Sequence, residues 1–197
     1  MNETLYIVKY SGPFGFIKPW TAVRDSETFS QQFLTPSIVE GIEKKLFPEL
    51  LNKVGIKKIK GHRLLYDQIS PQQEVIQTRG WNSIRKGRQI LFDRPTSILL
   101  RGVLIHPVLH LAFDSQYDAL NANKQHICLC RNEDILFPEE EVEKINTEEF
   151  ENDERYPGFE LVFEQNERSF PVGVDRKTEL TMFGWLKIVG TPIKEYI

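Results

Sequence analysis

Two cysteines in 197 residues, Cys128 and Cys130, are too few for a disulfide framework or a four-cysteine zinc site. Set two apart, they point to the same side of a strand. No apolar run reaches the roughly 18 residues of a membrane span, and no charged-then-apolar leader is present, because Asn2-Glu3-Thr4 passes straight into Leu5-Tyr6-Ile7. The expectation is a soluble cytoplasmic protein without a membrane segment. A Walker loop and a G-x-G-x-x-G pattern are both missing, and Ser11 and Ser83 lie outside any nucleophile-elbow context. His106 and His110 stand four apart, but no carboxylate or cysteine accompanies them at ligand spacing and Pro107 spoils a zincin-like helix, so they read as structural histidines. No metal or cofactor is expected.

What the chain does carry is an uneven charge. The formal net charge of −3 splits into 18 Lys+Arg against 11 Asp+Glu over residues 1–131, and 7 against 17 over residues 132–197. Residues 53–101 hold 11 basic side chains and three acidic ones. A basic face on an otherwise acidic protein suits a polyanion, because each neutralised phosphate releases counterions and adds salt-sensitive affinity. The alternative is a solvated face of lysines.

At this length the chain suits one domain with a small appendage. Thr4–Tyr10 reads as a strand closed by Gly12-Pro13, and Thr35-Pro36-Ser37 as a helix start in which Thr35 accepts a free backbone N–H and proline takes the first helical position. Ile38, Ile42, Leu46 and Leu50 recur every four positions as one buried helix face, widened by Val39 and Leu51. Residues 56–66 and 74–78 read as strands, residues 79–94 as a basic hairpin or loop, and residues 96–113 as the strongest strand signal, with Pro107 marking an edge or bulge. Residues 115–124 predict a short helix and residues 127–129 a strand. The order is β-α-β-β-α-β, so the predicted class is α+β, a ferredoxin-like domain with an inserted basic β-hairpin and a small C-terminal β appendage. The boundaries are 1–131 for that domain with the inserted hairpin at 79–95, 132–155 for an acidic linker or exposed helix, and 156–197 for a C-terminal β segment that returns to the sheet or stands apart.

Lys18, Arg24, Arg79, Arg85, Lys86, Arg88 and Arg101 are the candidates for phosphate and base contacts, since arginine grips phosphate with two prongs and stacks on bases. Trp20, Phe29 and Trp81 are candidate stacking platforms, with core packing as the competing role for Trp20 and Phe29.

The run Ser11-Gly12-Pro13-Phe14-Gly15-Phe16-Ile17-Lys18-Pro19-Trp20, the later Thr35-Pro36-Ser37-Ile38-Val39-Glu40-Gly41-Ile42, the segment Arg79-Gly80-Trp81-Asn82-Ser83-Ile84-Arg85 and the strand Thr96-Ser97-Ile98-Leu99-Leu100-Arg101-Gly102-Val103 together resemble the Cas-five family. These are RAMP-superfamily subunits of CRISPR Cascade complexes, which serve in prokaryotic antiviral defence. The resemblance covers about the first 130 residues. It implies a subunit that caps the 5′ handle of the guide crRNA, contacts the Cascade backbone and large subunits, and meets target DNA only indirectly, with residues 79–94 as the thumb. One branch of the family cuts precursor RNA without metal, using a helix tyrosine and a Lys-His pair. Here Phe47 stands at the tyrosine position, Lys124 matches, Gln125 replaces the histidine, and His126 is one residue displaced. Lys124 and His126 are therefore weak catalytic candidates, and the expectation leans to a subunit without catalysis. Two readings stay beside it: a metal-independent endoribonuclease that processes precursor crRNA, and a ferredoxin-like RNA-binding protein unrelated to CRISPR.

Overall fold

The computed structural model describes residues 3–19, 27–78, 80–175 and 178–193. The chain opens with β1 (Thr4–Ser11), β2 (Phe14–Gly15) and β3 (Glu27–Phe29), then α1 (Pro36–Leu46). There follow β4 (Ile59–Leu65), β5 (Gln68–Gln77), β6 (Asn82–Lys86), β7 (Gln89–Asp93), β8 (Thr96–Ile105) and β9 (Val108–Phe113). After α2 (Gln116–Ala122) come β10 (Ile127–Cys128) and β11 (Ile135–Asn146), and after α3 (Thr147–Asn152) come β12 (Gly158–Val162), β13 (Phe170–Val174) and β14 (Thr181–Val189). Strand outweighs helix by about 50% to 15%, and the sheets are largely antiparallel, so the class is α+β. No helix among the described residues is long and apolar enough to cross a membrane.

The main sheet runs β10-β11-β1-β9-β4-β12-β14-β13. β1 lies near its middle, paired antiparallel with β11 on one side and β9 on the other, and this explains its nearly unbroken apolar sequence. Leu5 and Ile7 face Ala112, Ile145, Phe150 and Tyr156, whereas Val8 and Tyr10 face the layer that holds α1 and α2. α1 buries Val39, Ile42 and Leu46 there, and α2 buries Ala119 and Ala122. Each such large apolar side chain stabilises the fold by roughly 1.5–3 kcal/mol relative to exposure. The Tyr10 hydroxyl donates to the Ala122 carbonyl at 2.8 Å and so fixes α2 over the sheet.

The first helix departs from its expected ends. Thr35 makes no side-chain cap; its hydroxyl lies 3.2 Å from that of Ser37, and only its carbonyl serves α1. Pro36 occupies the first turn as expected, while Leu50 falls in a separate 3-10 turn beyond Pro48. Glu43, on the buried face, accepts from the backbone N–H groups of Lys57, Lys58 and Ile59 at 2.5–3.0 Å and holds the entry to β4.

The acidic segment expected as a linker or exposed helix is instead a twelve-residue strand, β11, followed by the six-residue α3. The edge of β1 needs a hydrogen-bonding partner, and Leu136 and Ile145 supply buried apolar residues for it. The glutamates bulge out of register opposite Lys9, which pairs with Glu139 at 2.9 Å. Of the two alternatives for the C-terminal segment, the return to the sheet is the one found, since β12 pairs with β4 and β14 with β12.

β8 belongs to a second sheet. Its partners are β2, β3 in parallel and, along its whole length, β5. The chain turns from β8 into β9 at His106-Pro107, where His106 takes a φ of 47° and its Nδ1 lies 2.7 Å from Asp67. Pro107 thus sits at a corner between the sheets, and His106 faces solvent while His110 is buried.

Candidate nucleic-acid interface

Beyond the second sheet, the β5–β8 ladder continues outward as a β-arm. The Thr78 N–H donates to the Pro95 carbonyl at 2.9 Å, and β6 then pairs with β7 from Asn82↔Asp93 to Lys86↔Gln89. Pro95 has no N–H to give and Gly80 favours irregular backbone, which accounts for the break in the ladder there. Gly87 at φ 63° closes the tip with Arg88 as a two-residue hairpin turn. Every residue of β6 and β7 is exposed, and these strands pair only with each other among the described residues.

Arg85, Lys86 and Arg88 project from this arm without an ion pair among the described residues; Arg85 bonds only the Gly87 carbonyl at 3.3 Å. Trp81 is 63% exposed, with the Arg94 guanidinium 5.4 Å from its ring centre. Arg94 is held by the Thr78 carbonyl at 2.7 Å, so the tryptophan and its cation form one surface at the bend. Ile84 and Leu91 share one face of the hairpin and Phe92 and Ile90 the other, because directly paired residues alternate sides. All four are exposed.

Other candidates scatter. Lys18 is exposed and follows Ile17, whose N–H donates to the Ser30 hydroxyl at 2.9 Å. Phe29 is 48% exposed and lies across Gly102, where a Cβ would meet its ring at 2.1 Å. Trp20, Arg24 and Arg79 lie outside the described residues.

The basic excess over residues 53–101 is not one face. Arg63 is wholly buried, donating to the Tyr156 carbonyl at 2.9 Å and stacked 4.1 Å from the Phe150 ring. Lys58 bridges Glu49 and Asp118 at 2.8 Å, and Lys60 pairs with Asp114 at 3.0 Å. Arg101 is paired with Glu74 and lies 5.0 Å from the Phe16 ring centre. On the same ring, at 5.5 Å, stands Arg131, a residue the sequence reading did not single out. Asp134 grips Arg131 through two nitrogens at 2.6 and 2.8 Å and holds its guanidinium above the ordinary arginine range. An arginine next to Asn132-Glu133-Asp134 signals a local turn, but nothing local signals Phe16.

Among the described residues, neither Lys124 nor His126 has an ion pair or a hydrogen bond to a titratable side chain. Phe47 is buried edge-on against Phe113, with the Lys58 ammonium 4.1 Å from its ring. Gln125 donates to the Leu46 carbonyl at 3.0 Å, which brings the 124–126 segment to the end of α1. Lys124 bonds Asn121 at 3.3 Å, and His126 sits 6.1 Å from the Phe137 ring, both exposed. Among the described residues no group of three His, Cys, Asp or Glu is placed to hold a metal ion. Neither a protein-family model nor a curated protein matches the chain.

Proposed function

We propose that the chain is a non-catalytic RNA-binding subunit that holds a short single-stranded segment, in the manner of the Cas-five subunits that cap the 5′ handle of a crRNA in a Cascade-like particle. One observation carries this reading: an exposed arm that presents Arg85, Lys86 and Arg88 beyond the Trp81–Arg94 surface. Cations that follow the backbone beside aromatic rings that stack on bases are what single strands require. The ferredoxin-like assignment belongs to the same proposal. Its support is the order β11-β1-β9-β4, in which α1 and α2 each join two strands separated by one antiparallel neighbour. The lack of a hydroxyl at Phe47 supports binding without cutting.

Purification from cells carrying a CRISPR array tests the reading. Repeat-derived RNA and a backbone subunit are expected in the eluate. Random cellular RNA alone would favour an RNA-binding protein outside CRISPR, and a discrete product from precursor RNA in EDTA that vanishes in Lys124→Ala would overturn the non-catalytic assignment.

A further inference from the structure

Resting on that RNA-binding reading, we infer that Arg101 and Arg131 form a phosphate site at the root of the arm, which the Glu74 carboxylate occupies in the free protein and a phosphodiester of the bound RNA takes over. The two guanidiniums are not free surface groups. Both lie against the buried Phe16 ring, at 5.0 and 5.5 Å, and each side chain is 21% exposed, so their positions are set before any ligand arrives. Both reach the same Glu74 oxygen, Arg101 through Nε and Arg131 through Nη1 at 3.9 Å. One anionic oxygen shared by two arginines is the arrangement a phosphate would adopt.

Three carboxylates surround this pair and they are not equivalent: the exposed Glu133 meets Arg131 alone, its carboxylate 3.3 Å from Nη1. Asp134 has no solvent exposure, takes two nitrogens of Arg131, and also accepts from the Arg131 backbone N–H at 3.0 Å. It is a fixed support. Glu74 is 42% exposed and stands on β5 opposite Leu99, so its side chain is free to swing into water without disturbing the ladder. An ion pair that water screens this well contributes little net stability, and a phosphodiester in the same place recovers the contact. The two terminal nitrogens of Arg101 have no hydrogen-bond partner among the described residues, which leaves four further N–H groups for the larger anion. Glu74 thus acts as an internal competitor, and only a strand that also engages the arm displaces it.

Binding of a short mixed-sequence single-stranded RNA at low salt, read by fluorescence anisotropy, tests this with four variants. Glu74→Gln or Glu74→Ala is expected to tighten binding by about threefold to tenfold, because the competitor is gone and a like charge no longer opposes the phosphate. Glu141→Gln, the same charge change on exposed β11, is expected to stay within about twofold. Adding Arg101→Gln to Glu74→Gln should abolish the gain and lower the salt slope by about one. If the wild type binds RNA while neither Glu74 variant exceeds Glu141→Gln, the inference is overturned and the RNA-binding reading stands. If no variant binds RNA at all, both fall.

Discussion

Arg63 on β4 donates to the carbonyl of Tyr156, 93 residues later in the chain, across 2.9 Å with no solvent contact. The same guanidinium reaches the Glu151 carbonyl at 3.3 Å and Glu160 at 3.5 Å. It therefore fastens α3 and the loop behind it to the sheet face that α1 and α2 do not cover. Replacing Arg63 by Ala leaves Glu160 buried without its cation and two carbonyls without donors. A destabilisation of about 3–5 kcal/mol is expected, measured by urea unfolding; a loss under about 1 kcal/mol would show that water replaces the guanidinium.

His62 and His110 give the fold an acid sensitivity. Burial pushes both down to about 4, with Arg63 opposing the charged form of each and Lys9 adding to the effect at His110. Their folded values lie below the unfolded value near 6.5, so between those limits the unfolded chain binds more protons. The stability is present above about pH 6.5 and declines as pH falls toward about 4. Denaturant midpoints across this range should drop, and His110→Phe should drop less than the wild type. Equal slopes would mean that His110 is not the group that titrates.

Charge reversal at the tip of the arm separates binding from folding. Arg85, Lys86 and Arg88 touch no core residue, so the triple change to Glu should leave the melting temperature within about 2 °C. RNA affinity should fall by at least about tenfold at low salt. Trp81→Ala is expected to cost about 1–3 kcal/mol of binding through lost stacking. Affinity unchanged in both variants would remove the arm from the proposed RNA site.

Gly102 is fixed by contact, not by backbone conformation. A methyl group there would enter the Phe29 ring at 2.1 Å, so Gly102→Ala must move Phe29 or part β3 from β8. About 1–3 kcal/mol of destabilisation is expected, and pairing with Phe29→Ala should recover most of it. Failure of the second change to rescue would show that the ring is not the obstacle.

Local signals account for the parts of this fold that were legible beforehand. The stripe Ile38, Val39, Ile42, Leu46 marks α1, and Gly80 and Gly87 among basic residues mark the arm. What stayed hidden depends on partners far along the chain. Arg63 sits in a run of lysines and arginines that reads as surface, yet its carboxylate, Glu160, is 97 residues away. Arg101 reads as a free cation because Glu74, 27 residues earlier, meets it only once the ladder forms. The glutamates of β11 suggested an exposed helix or linker because their pattern is polar, whereas the unsatisfied edge of β1 and two apolar residues, Leu136 and Ile145, decide otherwise.

The outer hairpin also governs how the polypeptide behaves in solution. A two-stranded ribbon with oily residues on both of its sides, and with no further strand on either border among the described residues, is a template for others like it. Purified alone and concentrated, the protein should stick ribbon to ribbon, which sedimentation at rising concentration would show.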